Sequence, residues 1–146
     1  MPVLVDGNNV MHRLPAGERT RDGLRRRVLG LAHRQRIRLE VIFDGPPPDG
    51  TPPVEPLGAV TIRYSGTRTA DDLIAARIPR GASARDWTVV TDDRELARRV
   101  SAAGARTLRA LEWLRRTAPP PGEHEAKPDT PSPGEIQEWL DIFSNR

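Results

Sequence analysis

The sequence predicts an α/β domain in which a mostly parallel central sheet of about five strands carries helices on both faces. Short apolar segments alternate along the chain with segments of helical periodicity, an alternation typical of parallel sheets. Aspartates stand at four of the boundaries between such segments, where open α/β sheets bind ligands. The chain has 146 residues, enough for one domain of about 100–150 residues and a tail.

Five short runs of aliphatic and β-branched residues predict the strands. They span residues 2–5, 39–43, 59–64, 87–91 and 105–108. Between the second and third runs lies the proline-rich stretch 45–53, which cannot form a helix or a central strand. We expect it to be a stiff loop, either a rim of the ligand site or a connection without a functional role.

Helical periodicity predicts four helices between and after these strands. They span residues 20–35, 69–78, 92–103 and 110–116. Thr20 is expected to cap the first helix, and Gly104 to end the third. The first helix turns leucines and a valine inward and an arginine-rich face outward, which is either solvated or in contact with phosphates. That face comprises Arg25, Arg26, Arg27 and Arg34.

Domain boundaries follow from the change in composition after residue 116. Residues 1–116 are expected to form the folded domain, and residues 117–134, with six prolines, an extended linker. Residues 135–146 predict a C-terminal amphipathic helix after a capping box at 132–135. Its apolar stripe either docks on the chain's own domain or binds a protein partner. The stripe comprises Ile136, Trp139, Leu140 and Phe143.

Charge is distributed unevenly along the chain. Residues 1–116 contain 21 arginines and 14 acidic residues, whereas residues 117–146 contain two basic and six acidic residues. An arginine-rich domain favours a nucleic-acid partner, although biased composition with a solvated surface gives the same pattern. Without cysteine, disulfides and thiolate zinc sites are excluded. No secretory leader and no apolar run of about 20 residues is visible, so we expect a soluble, cytoplasmic protein.

The aspartates carry the main functional signal. Carboxyl ends of parallel strands share one edge of a sheet, so acids at 6, 44, 71–72 and 92 are expected to converge there. Converging carboxylates repel one another unless a cation joins them, and a hard divalent metal is the usual candidate. Taken singly, each acid also fits a turn or a helix cap. Asp93 is the weakest candidate, because it is expected just inside a helix.

Four blocks of sequence together resemble the NYN domain of the PIN-like nuclease superfamily, and in particular its YacP-like branch. The blocks are Val-Asp-Gly-Asn-Asn-Val-Met-His at 5–12, Val-Ile-Phe-Asp at 41–44, residues 64–72 and residues 89–96. The resemblance covers residues 2–116 and implies a three-layer α/β/α PIN-like fold with a metal-dependent ribonuclease site. The family's first motif commonly has an aromatic residue where this chain has Asn8, which removes a stacking group there.

Roles for individual residues follow from the resemblance and from the chemistry of phosphodiester hydrolysis. The catalytic set is expected to be Asp6, Asn9, Asp44, Asp72 and Asp92. The ligands of Mg²⁺ or Mn²⁺ are expected among Asp6, Asp71, Asp72 and Asp92, with the choice between Asp71 and Asp72 open. For substrate we expect Arg68 and Arg94 to hold phosphate and Thr91 to orient substrate or water. His12 is either a proton shuttle or a surface residue.

The leading functional hypothesis is an endoribonuclease that hydrolyses phosphodiester bonds in mRNA or other single-stranded RNA, free or presented by a ribosome. The alternative is a non-catalytic RNA- or ribosome-binding module whose acids serve as caps. A small-molecule phosphatase fits less well. Such an enzyme of the haloacid-dehalogenase type needs Asp-x-Asp after the first strand, and the sequence here is Asp6-Gly7-Asn8. No glycine-rich phosphate loop follows that strand either.

Overall fold

The computed structural model describes residues 2–120, and the compact unit within them ends at Arg116. The predicted linker beyond residue 120 and the predicted C-terminal helix lie outside the described residues. The strands are β1 (Pro2–Asp6), β2 (Arg38–Phe43), β3 (Val54–Leu57), β4 (Val60–Tyr64), β5 (Thr88–Val90) and β6 (Arg106–Leu108). The helices are α1 (Gly7–Met11), α2 (Arg21–Gln35), α3 (Ala70–Arg77), α4 (Arg94–Ala103) and α5 (Ala110–Arg116), with a 3₁₀ turn at Ala82–Asp86.

The sheet has the strand order β3-β4-β2-β1-β5-β6. Every neighbouring pair is parallel except β3 and β4, which run antiparallel at one edge. The predicted mostly parallel sheet with helices on both faces is therefore confirmed. Because β1 lies at the centre, the carboxyl ends of β4, β2, β1 and β5 stand side by side at one edge of the sheet.

Two hydrophobic clusters explain the three layers. Neighbouring residues of β1 take opposite sides: Val5 packs with α2 and α5, and Leu4 packs with α3 and α4. The same alternation separates Val41 from Ile42 in β2, as the two-residue period of a strand requires. Both faces of the central strands are buried, so these strands are mostly apolar, with Glu40 of β2 and Asp6 at the end of β1 as buried acids.

The predicted helix signals are largely confirmed. The Thr20 hydroxyl accepts the Gly23 N–H at 2.9 Å, and the Thr69 hydroxyl accepts the Asp72 N–H at 3.1 Å. Gly104 ends α4 in the left-handed region at φ 110°. The predicted start of α4 at Asp92 is wrong, because Asp93 is the N-cap and accepts the N–H groups of Glu95 and Leu96.

Three elements were not predicted, namely β3, α1 and the 3₁₀ turn at Ala82–Asp86. Strand β3 contains Pro56 and lies at the sheet edge, where a missing N–H can be tolerated, so its sequence looks like a continuation of the proline-rich loop. Helix α1 begins directly after β1, with Gly7 against β2. A β-carbon at Gly7 would lie 2.7 Å from the Phe43 ring and 2.9 Å from the Ile42 carbonyl oxygen, so this close approach requires glycine.

Within residues 2–120, no helix has the length and apolar character to cross a membrane.

Candidate active site

Four carboxylates collect at the carboxyl edge of the sheet. Asp6 is the last residue of β1, and Asp44 immediately follows β2. Asp71 lies in the first turn of α3, which follows β4, and Asp93 caps α4, which follows β5. Since these strands are neighbours, the parallel topology brings together acids that lie up to 87 residues apart in the chain.

Asp6 is the buried centre of this group, with 3% of its surface exposed. The Thr91 hydroxyl donates to Asp6 Oδ2 at 2.7 Å and accepts the Asp93 N–H at 3.0 Å, so one hydroxyl links two of the acids. Burial raises the pKa of Asp6 to about 6, and the charges of Asp71, Asp93 and Asp44 add to the rise, while the Thr91 bond opposes it. Ionised Asp6 is therefore held at a cost in free energy.

Asp71 shares this condition. Burial raises its pKa to about 6, and both a side-chain hydrogen bond and charge repulsion from Asp93 contribute. The pKa of Asp93 moves the other way, chiefly because the Leu96 N–H donates to it. Asp71 thus faces the other acids of the edge, with Arg99 as the cation that opposes the rise.

Asp44 is held by the ends of three elements. Its Oδ1 accepts the Ala70 N–H at 2.9 Å, at the N-terminus of α3, and lies 3.5 Å from the Ser65 hydroxyl. Its own N–H donates to Asn8 Oδ1 at 2.8 Å. Asp44 therefore both stabilises the positive end of α3 and contributes its charge to Asp6.

Asp92 points away from the shared acids toward cations. Its carboxylate accepts from the Ala110 N–H at 2.9 Å, from Arg13 Nε at 2.9 Å and from Arg109 Nε at 3.3 Å. Burial alone would raise the pKa of Asp92, but these three donors outweigh burial and hold it below its usual value. The Asp92 N–H donates to Asn9 Oδ1 at 2.8 Å.

The remaining predicted residues lie at the periphery. Asp72 is exposed and pairs with Arg99 at 3.2 Å. Arg68 is exposed in the turn before α3, Arg94 is exposed in the first turn of α4, and His12 is exposed at the end of α1. Within residues 2–120, no three acidic or histidine side chains converge closely enough to form a complete metal-binding group.

Sequence reasoning missed Asn8, Arg13 and Arg109 at this edge, and it included Asn9 without the backbone contact that the structure gives it. The side chains of Asn8 and Asn9, neighbours in α1, accept backbone N–H groups just after β2 and just after β5 respectively. The only sequence signal for this role is the pair of adjacent amides after the first acid. No sequence pattern indicated Arg13 and Arg109, because the local sequence does not show which of the 22 arginines contacts Asp92. Asp93, the weakest candidate from sequence, is the acid that contacts Asp71.

Residues 3–127 match the YacP-like NYN domain. The chain belongs to the YacP-like NYN family. NYN domains form part of the PIN-like nuclease superfamily, so the predicted family and superfamily are confirmed.

Solved structures of a family member share the fold. The crystal structure of Rae1 (YacP) from Bacillus subtilis matches with a TM-score of 0.60 and 19% identity over 99% of this chain and 91% of that chain. A tryptophan-to-leucine variant of the same protein matches with a TM-score of 0.57 and 22% identity over 80% of this chain and 74% of that chain. No curated protein matches this chain in sequence.

Proposed function

We propose that this chain is a metal-dependent endoribonuclease that hydrolyses phosphodiester bonds of single-stranded RNA at the carboxyl edge of its sheet. The observation that carries the proposal is that Asp6, Asp44, Asp71 and Asp93 lie at one edge of the sheet, where burial and charge repulsion raise the pKa of Asp6 and of Asp71 to about 6. Acids with raised pKa values in one cleft are typical of functional sites, because folding alone gives no reason to retain them.

The donor set fits a hard divalent cation. Such an ion would offset the burial and the charge repulsion that raise both pKa values. Mg²⁺ needs only one or two protein carboxylates because it keeps several waters. Asp6 and Asp71 are the direct ligands we propose, with Asp44 and Asp93 contributing charge through water. The contacts favour Asp71 over Asp72, since Asp72 is exposed and paired with Arg99. When bound, Mg²⁺ or Mn²⁺ would acidify a water and offset charge on the phosphate.

The chain's own residues position the reaction. Thr91 fixes the orientation of Asp6 through its 2.7 Å bond, and Asn9 holds the backbone that carries Thr91 and Asp92. Arg13 and Arg109, with half or more of each side chain exposed beside Asp92, join Arg68 and Arg94 as candidates to bind the phosphates of the substrate. In this proposal Asp92 holds these two guanidinium groups in place of the ligand role expected from the sequence.

Cleavage of end-labelled single-stranded RNA, with and without Mn²⁺, tests the proposal. Asp6→Asn is compared with Asp86→Asn, an exposed acid in the 3₁₀ turn before β5, at the opposite edge of the sheet. We expect cleavage that requires Mn²⁺, a loss of at least about 100-fold in Asp6→Asn, beyond the roughly 10–100-fold typical of an outer-shell partner, and no loss in Asp86→Asn. A DNA strand of the same sequence tests the choice of RNA.

Retained cleavage in Asp6→Asn would contradict the metal-dependent site. Absence of cleavage in every protein, together with RNA binding that Mn²⁺ does not alter, would favour the non-catalytic RNA-binding module instead.

A further inference from the structure

A cleft opens on the α2 side of the same sheet edge. It measures about 230 Å³ and lies between α2, the proline-rich loop and the ends of β2 and β4. Its walls include Arg21, Phe43, Thr51, Glu55 and Tyr64. The cleft is smaller than the roughly 300–1,000 Å³ of pockets for drug-sized ligands, so it suits one planar ring system.

Arg21 forms a flat platform in this cleft. Its guanidinium lies 5.4 Å from the centroids of both Phe43 and Tyr64. These two rings stack on each other with centroids 5.6 Å apart and an interplanar angle of 24°. Phe43 is buried, whereas Arg21 and Tyr64 are half-buried, and all three line the cleft. Arginine planes and aromatic faces are the surfaces on which unpaired bases stack.

The polar groups of the cleft complement a base rather than a phosphate alone. Glu55 lines it and accepts from Arg25 at 3.0 Å, and Asp22 supplies a second carboxylate. Carboxylates accept hydrogen bonds from exocyclic amino groups of bases, whereas they repel phosphate. A ring that stacks on Arg21 therefore has acceptors available at the cleft wall.

The position of the cleft relates it to the acids. Phe43 directly precedes Asp44, and one residue of a strand advances about 3.3 Å. We propose that the cleft binds one unpaired base of the RNA substrate, stacked on the guanidinium of Arg21, next to the carboxylate edge. This inference rests on the proposed function, and it assigns the proline-rich loop 45–53 as one wall of the base site.

The test measures binding in EDTA, where no cleavage occurs. Fluorescence anisotropy compares a labelled single-stranded RNA octamer with the same octamer lacking all bases. The ratio of the Kd of the octamer lacking bases to the Kd of the intact octamer reports base recognition. The variants are Arg21→Ala and Arg21→Lys, which keeps the charge but loses the flat face. Arg85→Ala, an exposed arginine in the 3₁₀ turn, is the matched control. Loss of charge affects both octamers alike and cancels in the ratio.

We expect both Arg21 variants to lower the ratio by roughly 5- to 150-fold, the size of one lost stacking interaction, and Arg85→Ala to leave it unchanged. An unchanged ratio in both Arg21 variants, or no binding of the octamer to the wild type, overturns the inference. Failure of the proposed function is distinct, because a lowered ratio with no Mn²⁺-dependent cleavage would leave the base site standing without the nuclease.

Discussion

The two ends of α3 meet carboxylates in opposite ways. Near its C-terminus, Arg77 and the β4 residue Arg63 each bond the buried Glu40 at 2.6 Å. At its N-terminus, Asp71 faces Asp93 and Asp44, and its pKa is raised to about 6. Glu40 is bonded directly to two guanidinium groups, whereas Asp71 is bonded to another carboxylate, that of Asp93. The difference separates an acid that contributes to folding from acids that folding leaves uncompensated.

The largest effect is expected on RNA cleavage, at the N-terminus of α3. Asp71→Asn should lower Mn²⁺-dependent RNA cleavage by about 100-fold or more, because it removes a proposed ligand. Its neighbour Asp72, which pairs with Arg99 in solvent, is the matched control, and Asp72→Asn should stay within about threefold. Rates measured at saturating Mn²⁺ decide between them. A larger loss in Asp72→Asn would reverse the choice between these neighbours and weaken the comparison.

At Glu40, near the C-terminus of α3, the expected effect is on stability. Glu40→Gln should lower the free energy of unfolding by about 2 kcal/mol, since it leaves Arg63 and Arg77 facing a neutral amide near the core. Breaking a fully buried pair costs more, but both arginines are partly exposed, which reduces the loss. Urea unfolding measures it. Glu95→Gln, which disrupts the exposed pair with Arg98, should change stability by less than about 0.5 kcal/mol.

Removing the charge of Asp6 is expected to raise the free energy of unfolding, whereas removing the charge of Glu40 lowers it. Its folded pKa, about 6, lies above the usual value of 3.8, so the folded state binds the proton more tightly and loses stability as pH rises from about 4 through 6. A shift of this size corresponds to at most roughly 3 kcal/mol. Asp6→Asn should therefore be more stable than wild type by about 1–2 kcal/mol at pH 7.5 in EDTA, with the advantage vanishing near pH 4.

Urea unfolding of both proteins across this pH range tests the expectation, and Asp86→Asn serves as the control without a pH-dependent difference. A less stable Asp6→Asn at pH 7.5 would mean that Asp6 is needed for folding rather than retained against it.

Much of the fold was available from sequence, because local signals set it. Thr20, Thr69 and Gly104 mark helix ends by hydrogen bonds or φ values that depend on a few neighbouring residues. Apolar runs mark buried parallel strands for the same reason. Strand β3 escaped prediction because Pro56 is tolerated only at an edge, and edge position is a property of the assembled sheet.

The site was predictable as a set of acids but not in its internal arrangement. That strand-end aspartates share an edge follows from parallel topology. Parallel topology does not determine which of these acids contacts a cation. Asp92 bonds Arg13, which is 79 residues away in the chain. Asp71 and Asp72 are neighbours, but a rotation of 100° about the helix axis separates them, and only Asp72 pairs with Arg99. Whether an acid is compensated thus depends on packing between elements, which local sequence patterns do not encode.

The smallest predicted effect concerns the adjacent amides of α1. Asn8 and Asn9 each accept one backbone N–H at 2.8 Å, from Asp44 and Asp92 respectively, so each alanine substitution should cost about 1 kcal/mol in unfolding free energy. Asn9→Ala should in addition weaken Mn²⁺ binding by about fivefold, because Asn9 holds the strand end that carries Thr91 and, through its hydroxyl, Asp6. Calorimetric titration of the two variants, matched in stability, measures this difference. Equal Mn²⁺ affinities in Asn8→Ala and Asn9→Ala would show that the two amides only tie the sheet edge together, and that the orientation of Asp6 does not depend on the end of β5.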